Sequence, residues 1–487
     1  MMGPAQQRES KLFYVGITLD RRVPDDHPLR RIAGAVDFNF ARREVAELYG
    51  SRGNPSVDPA VLLKLMLLLY LEDVPSERQL MRDLPLRLDW LWFCGYDLDD
   101  AIPHHSVISK ARRRWGIDTF ERLFAEVLDA CLAAGLIDGE VLHVDASVVR
   151  ADADISKMRP ALRRAAHTMY ERLESDAETP EEGPPKPPSS GAPIVENATD
   201  PEARMTTIRG KTTLGYKTHR VVDDAHQIIT AVATTHAAVP EGELLAPLLD
   251  AHEQSTGRAV DAVTADKAYG TAENYRCLRE RGATPCIPHR QAAAPKKHFG
   301  PRDFRYDRDA DCMICPAGET LRRIGEDTVK RRTRYQASAA TCAGCRLRSR
   351  CTDSKHGRRV GRLWDQDEVD WADGCFTAAQ RRHLMRRRQI CVEGSFADGA
   401  NNHGLKRARW RGLMKARIQN LLIAAAQNLR KLLKATRRRR ALSAAASAVS
   451  RGVLVLDAFF GAHSLFRRLL VRPARVKVSA TATCLPS

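Results

Sequence analysis

The sequence has no hydrophobic run long enough to cross a membrane. Its longest apolar stretch, residues 61–71, is interrupted by Lys64 and is shorter than the ~20 residues that a spanning helix requires. We therefore predict a core helix there. The first residues also lack the apolar segment and the small-residue cleavage pattern of a secretory signal, so we expect a cytoplasmic protein.

Acidic side chains are too few to balance the basic ones. There are 60 Asp and Glu residues against 78 Lys and Arg, which gives a formal net charge of +18 and suits a partner with dense negative charge. Because the basic residues lie within helix and strand patterns and not beside an apolar anchor, nucleic acid is favoured over a membrane surface. With 487 residues, 43% of them hydrophobic, the chain can form two or three domains with a sizeable core.

Disulfides are not predicted, because five of the twelve cysteines are concentrated between residues 312 and 351 and the rest are scattered. Cys312 and Cys315 form one CxxC pair, and Cys342 and Cys345 form a second. Two such pairs can hold a structural Zn²⁺ with four thiolates, so we predict zinc bound by these four residues, although Cys351 leaves the ligand set open. Residues 290–375 are therefore interpreted as a cysteine-rich insertion.

Residues 11–136 follow a helical pattern and are predicted to form an all-helical, DNA-binding N-terminal domain. Within it, residues 107–115 form a short basic helix that carries Lys110, Arg112 and Arg113. This is a candidate recognition helix for DNA. The alternative is that these charges form the solvated face of an ordinary helix.

The pattern changes at residue 140 to the period of two that is typical of a strand. In residues 141–149, His143, Asp145 and Ser147 share the less apolar face. Strands and helices then alternate: strands at 214–222, 227–235, 259–265 and 284–288, and helices at 241–252 and 271–281. Asp266 directly follows the strand at 259–265. The pattern predicts an α/β sheet in which Asp145 and Asp266 lie on neighbouring strands.

The rest of the chain divides around this sheet. Residues 175–201, rich in proline, glutamate and serine, are predicted to be a flexible linker inside the core domain that begins with 137–289. Residues 376–436 are predicted to be the helices that complete this domain, and 437–487 a basic stretch and variable tail.

Several blocks of the sequence resemble the bacterial insertion-sequence DDE transposases. They are VDASVVRADAD around Asp145, GYKTHRVVDD, TADKAYGTAENY around Asp266, CVEGSF around Glu393, and RWRGLMKARIQNLLIAAAQNLRKL after it. With the helical N-terminal domain, the resemblance covers residues 11–435. The selection of Glu393 depends on this resemblance, because periodicity alone does not single it out.

The resemblance implies a fold and an activity. The fold is an α/β, ribonuclease-H-like mixed sheet that presents the two aspartates on its first and fourth strands, with the glutamate on a following helix. Asp145, Asp266 and Glu393 are then the catalytic residues, which hold two Mg²⁺ or Mn²⁺ ions for DNA cleavage and strand transfer. Two-metal phosphoryl transfer requires such hard oxygen ligands from separate rigid elements. The implied partners are the terminal inverted repeats, target DNA and further copies of the chain, in a homodimer or larger synaptic complex associated with the nucleoid.

The related transposases often place a lysine about seven residues beyond their glutamate, where this chain has Ala400. The nearest lysine is Lys406, and we predict Lys406 and Arg388 as DNA contacts. One alternative function is a catalytically inactive DNA-binding relic or domesticated copy. Another is a metal-dependent nuclease without strand transfer, since carboxylates alone do not separate cleavage from transfer.

Overall fold

The computed structural model describes Met2 and residues 18–160, 195–208, 210–289 and 298–460. Most of the predicted linker, residues 175–194, lies outside the described residues, as do residues 11–17 and the tail beyond residue 460. The chain forms one compact unit up to Leu432 and a second from Leu433. Among the described residues, no helix combines the length and the apolar character that crossing a membrane would need.

The described part of the N-terminal region is helical, as predicted. Its α-helices are α1 (Leu19–Arg22), α2 (Pro28–Ala35), α3 (Phe40–Glu44), α4 (Pro59–Leu71), α5 (Glu77–Asp83), α6 (Leu88–Cys94), α7 (Ser106–Trp115) and α8 (Asp118–Ala133). The side chain of Asp58 accepts a hydrogen bond from the Ala60 N–H and caps α4, which begins with Pro59. Every residue of α4 except Lys64 is buried, so this helix forms the core of the region.

A six-stranded mixed sheet follows. Its strands are β1 (Val141–Arg150), β4 (Arg204–Ile208), β5 (Lys211–Asp223), β6 (Ile229–His236), β7 (Ala262–Thr264) and β8 (Thr284–Cys286). The strand order is β4-β5-β1-β7-β8, and β6 also pairs with β5. The pairs β6–β5 and β5–β1 are antiparallel, whereas β1–β7 and β7–β8 are parallel. The predicted neighbouring positions of the strand that contains Asp145 and the strand that precedes Asp266 are confirmed.

Two helices connect the parallel strands, α9 (Leu245–Thr256) between β6 and β7 and α10 (Ala272–Glu280) between β7 and β8. They pack onto the sheet in one core that includes Leu142, Val144 and Leu248. Two features were not predicted from the sequence: β4, and a separate two-stranded sheet formed by β2 (Met158–Pro160) and β3 (Val195–Asn197). The strand β3 lies within the predicted linker, so the linker prediction was wrong for its last residues.

The cysteine-rich region forms a second, antiparallel sheet. Its strands, in the order β13-β12-β11-β10-β9, are β9 (Arg305–Asp307), β10 (Cys312–Ile314), β11 (Thr320–Asp327), β12 (Arg332–Gln336) and β13 (Arg359–Leu363). Two short helices, α11 (Ala339–Ala343) and α12 (Arg348–Cys351), connect β12 to β13. We call this region the cysteine sheet.

Helices follow the cysteine sheet. They are α13 (Gln366–Gly374), α14 (Ala378–Arg388), α15 (Gly394–Asn402) and α16 (Leu413–Phe460). Between α14 and α15, residues Gln389–Glu393 form a π-helical segment. The backbone is helical as far as Phe460, so residues 437–460 of the predicted basic stretch and variable tail belong to α16.

Candidate active site

Asp145 and Asp266 reach the same edge of the six-stranded sheet. In the parallel pairing of β1 with β7, His143 is opposite Thr264, and each aspartate lies two residues further along its chain. Asp145 is still within β1, whereas Asp266 is two residues past the end of β7, and its carboxylate is close enough to raise the pKa of Asp145. The close approach that the sequence predicted is therefore present in the structure.

Each carboxylate is held by a local backbone hydrogen bond. The Ala146 N–H donates to Oδ1 of Asp145 at 2.8 Å, and the Ala268 N–H donates to Oδ1 of Asp266 at 2.8 Å. Burial raises the pKa of Asp145 to about 6, and the nearby charge of Asp266 adds to this, while Arg388 opposes it. The raised pKa of Asp145 is thus mainly an effect of burial, to which Asp266 contributes as a nearby like charge.

Glu393 is brought to this edge by the π-helical segment and by Arg388. The guanidinium of Arg388 donates from Nη1 to Oδ2 of Asp145 at 2.8 Å, and its Nη2 is 3.6 Å from Oε1 of Glu393. Residues five apart lie on different faces of an α-helix. The wider π-helical turn therefore allows Arg388 and Glu393 to face the same carboxylate.

Arg388 differs from its prediction as a surface DNA contact. Its side chain is only 10% exposed, compared with 53% for Glu393. Since it forms ion pairs with Asp145 and Glu393, two acidic residues of the candidate site, the structure gives it a position inside the site and not on the surface.

Two further arginines fix the helices that carry Glu393. Arg387 donates from Nε to the carboxylate of Asp224 at 2.8 Å and from Nη2 to the Asp224 carbonyl at 3.0 Å. Arg220, on β5, is fully buried and donates to the Ser395 carbonyl at 3.1 Å and to Oε1 of Gln427 at 2.9 Å. Burial lowers the pKa of Arg220 to about 9. None of these contacts was predicted from the sequence, because each joins residues that are far apart in the chain.

His143, Asp224 and Cys391 form a tighter cluster beside the carboxylates. Their ligand atoms all lie within 4.8 Å of one another. However, Nδ1 of His143 is 2.7 Å from Oγ1 of Thr264, and its Nε2 is 2.7 Å from Oδ1 of Asp224, an oxygen that also accepts from Arg387. Because both imidazole nitrogens are occupied, we interpret the cluster as a hydrogen-bond network that supports the site.

Lys406 lies close to the site, on a segment that runs beside the end of β1. The Arg150 N–H donates to the Lys406 carbonyl at 3.0 Å, and the Ala408 N–H donates to the Arg150 carbonyl at 2.8 Å, so this short segment pairs with the end of β1. The exposed Lys406 side chain donates to Oγ of Ser147 at 2.6 Å. This position is compatible with the predicted DNA contact, which stays a prediction.

The basic helix α7 presents only part of the predicted surface. Lys110 and Arg113 are exposed, and their role in binding DNA stays a prediction. Arg112, in contrast, is 3% exposed, forms an ion pair with Glu77 and stacks over the ring of Trp410 at 3.5 Å. Because its guanidinium is enclosed by these partners, Arg112 is a packing residue in this structure and not part of the exposed surface.

Two protein-family models match the chain. The model described as "Transposase domain (DUF772)" matches residues 17–114, and the model described as "Transposase DDE domain" matches residues 314–433. Both models describe transposases, so the chain is similar to transposases over these two stretches. Arg388 and Glu393 lie within the second match, whereas Asp145 and Asp266 lie between the two matches.

No curated protein sequence matches the chain. One solved structure that is similar is the "Cryo-EM structure of piggyBac transposase synaptic complex with hairpin DNA". It is 10% identical, the match covers 89% of this chain and 84% of that chain, and the TM-score is 0.30. A TM-score this low does not establish a shared fold.

Proposed function

We propose that this chain is a transposase that cleaves DNA at the ends of its own insertion sequence and transfers the cut strands to target DNA, with Asp145, Asp266 and Glu393 as its catalytic residues. The observation that supports the proposal is the convergence of the three side chains. Asp145 lies on β1, Asp266 follows the adjacent parallel strand β7, and Arg388 links Asp145 to Glu393.

The chemistry of these residues fits divalent metal ions. Carboxylate oxygens are the ligands that Mg²⁺ and Mn²⁺ prefer, and Asp266 is close enough to Asp145 to act on it as a like charge, which a bound cation would neutralise. Asp145, Asp266 and Glu393 would hold two such ions. When bound, the ions would activate the attacking hydroxyl and stabilise the leaving oxygen of the phosphoryl transfer.

The protein's own groups complete the proposed site. Arg388 holds the carboxylates of Asp145 and Glu393 in place, and Arg220 and Arg387 fix the helices on either side of Glu393. The sheet, in which β6–β5 and β5–β1 are antiparallel pairs and β1–β7 and β7–β8 are parallel pairs, supports the ribonuclease-H-like class that the sequence resemblance implies. We also propose the predicted domain boundaries, apart from the last residues of the linker, which include β3.

DNA is the proposed partner. Lys110 and Arg113 on α7 are exposed cations in the region matched by the first transposase model, and Lys406 lies beside the carboxylates. Basic side chains bind phosphates and release counterions. We propose that α7 contacts the terminal inverted repeats and that a homodimer or larger assembly pairs the two ends.

The decisive experiment is Mg²⁺-dependent cleavage and strand transfer of a labelled duplex that carries the sequences flanking the coding region. We expect Asp145→Asn, Asp266→Asn and Glu393→Gln each to lower cleavage by about 10²–10³-fold or more. Binding of the duplex should persist in all three variants.

In the same binding assay, the double variant Lys110→Ala/Arg113→Ala should weaken binding and reduce its dependence on salt.

The matched control is Asp261→Asn, an exposed carboxylate immediately before β7, which should cleave like the wild type. Wild-type protein that binds the duplex but never cuts it would show an inactive DNA-binding protein. Cutting without joining would show a nuclease. Full activity in any of the three carboxylate variants would remove that residue from the catalytic set.

A further inference from the structure

Four thiols of the cysteine sheet surround one small cavity. The cavity measures about 20 Å³, and Cys315, Cys342, Cys345 and Cys351 all contribute to its lining. These residues come from three separate segments: the end of β10, the end of α11, and α12. Burial raises the pKa of Cys351, and the other three thiols raise it further. The thiols of Cys315, Cys342 and Cys345 are therefore close enough to Cys351 to act on it electrostatically.

Backbone groups are already directed at two of these sulfur atoms. The Leu347 N–H donates to Sγ of Cys345 at 3.4 Å, and the Arg358 N–H donates to Sγ of Cys342 at 3.4 Å. Hydrogen bonds of this kind stabilise the thiolate, which is the form of cysteine that binds metal.

Cys312 is not part of this arrangement. It is buried on β10, opposite Asp307 on one side and Arg322 on the other, and it does not contribute to the cavity. Side chains three residues apart on an extended chain point to opposite faces, so Cys312 and Cys315 face different sides of the sheet.

We propose that Cys315, Cys342, Cys345 and Cys351 bind one structural Zn²⁺ ion, with Cys351 in the place that the sequence pattern gave to Cys312. Four thiolates around one closed position are typical of structural zinc sites. The four sulfur atoms do not all lie within 4.8 Å of one another, so zinc would draw them together as it binds.

The size of the cysteine sheet gives a physical reason for such a crosslink. Its core consists of a few buried side chains, which are Phe304, Met313, Leu321, Tyr335, Ala337, Cys342, Cys351 and Val360. Regions below roughly 70–80 residues rarely obtain enough stability from a core alone. A metal that joins β10 to α11 and α12 would supply binding free energy directly to folding.

The test is the zinc content of the full-length protein, purified under reducing conditions after expression with added zinc. We expect about one zinc ion per chain in the wild type, close to none in Cys351→Ser or Cys345→Ser, and about one in the matched control Cys312→Ser. Replacement of zinc by Co²⁺ in the wild type should give the visible absorption bands of tetrahedral cobalt and a thiolate-to-cobalt charge-transfer band. These readouts do not depend on transposition activity.

Two results would overturn the proposal. One is a Cys351→Ser variant that keeps its zinc while Cys312→Ser loses it, which would restore the ligand set suggested by spacing. The other is wild-type protein that contains no zinc and gives no tetrahedral thiolate spectrum with Co²⁺. Because the cobalt spectrum is measured on wild-type protein, it tests the proposal even where a variant fails to fold.

Discussion

The six-stranded sheet and the cysteine sheet differ in how much apolar surface they bury. Among the described residues, the core of the six-stranded sheet contains 17 buried residues, whereas the core of the cysteine sheet contains eight. The larger core allows the six-stranded sheet to bury charged and polar groups such as Arg220 and His143. Many charges of the cysteine sheet remain in exposed pairs such as Arg323 with Asp311, and such pairs add little stability. A large apolar core thus supports a charged site in one sheet, while the sheet with the small core is the one for which we propose a metal crosslink.

Among the changes that compare the two sheets, the largest effect should come from removing Arg388, the arginine between Asp145 and Glu393. We expect Arg388→Ala to lower Mg²⁺-dependent cleavage by about 100-fold, equivalent to ~2.7 kcal/mol, because Asp145 and Glu393 lose the group that holds them. Arg388 lowers the pKa of Asp145, so its loss raises that pKa. The acidic limb of the pH–rate profile should therefore move to higher pH.

The control for this prediction is Arg386→Ala, which removes an exposed arginine from the same helix and should cleave normally. If Arg388→Ala retained both the rate and the pH profile of the wild type, Arg388 would not be the residue that positions Asp145 and Glu393.

A smaller and more local effect should follow metal removal. If zinc crosslinks the cysteine sheet, a thiol-competing chelator should increase hydrogen exchange in residues 305–363 and leave β1, β5 and β7 protected. The reason is that the six-stranded sheet has its own core. Hydrogen exchange followed by mass spectrometry measures both regions in one sample, and equal protection of the cysteine sheet with and without chelator would contradict the prediction.

The smallest effect concerns pH. His252, on α9, is fully buried beside the six-stranded sheet, and burial lowers its pKa to about 4. Between about pH 6.5 and 4 the unfolded chain binds a proton there that the folded chain does not, so stability is lost as the pH falls through this window. We expect His252→Gln to reduce this loss in thermal unfolding. The exposed His356 of the cysteine sheet provides the control, since His356→Gln should leave the slope unchanged.

Features set by local chemistry were predictable from the sequence. The cap at Asp58 and the strand before Asp145 depend on neighbouring residues. The meeting of Asp145 with Asp266 was also predictable, because the carboxyl ends of adjacent parallel strands share one edge of a sheet.

The remaining features depend on contacts between residues far apart in the chain. Arg388 contacts Asp145 across 243 residues, and Arg112 contacts Glu77 across 35. No local pattern indicates that these two arginines are buried when their neighbours in sequence are exposed. The regular CxxC spacing likewise favoured Cys312 over Cys351, because spacing does not tell which side of a short strand faces the cavity.

The π-helical segment makes the number of residues between Arg388 and Glu393 a structural constraint in its own right. Each residue of a helix turns the chain by about 100°, so deleting a single residue from Gln389–Glu393 would restore an ordinary helical turn and rotate everything after it. Gln389 and Ile390 are exposed, and most side chains would fit at these two positions. A change of length would redirect Glu393 away from Asp145, so this part of the chain tolerates a change of residue far better than a change of register.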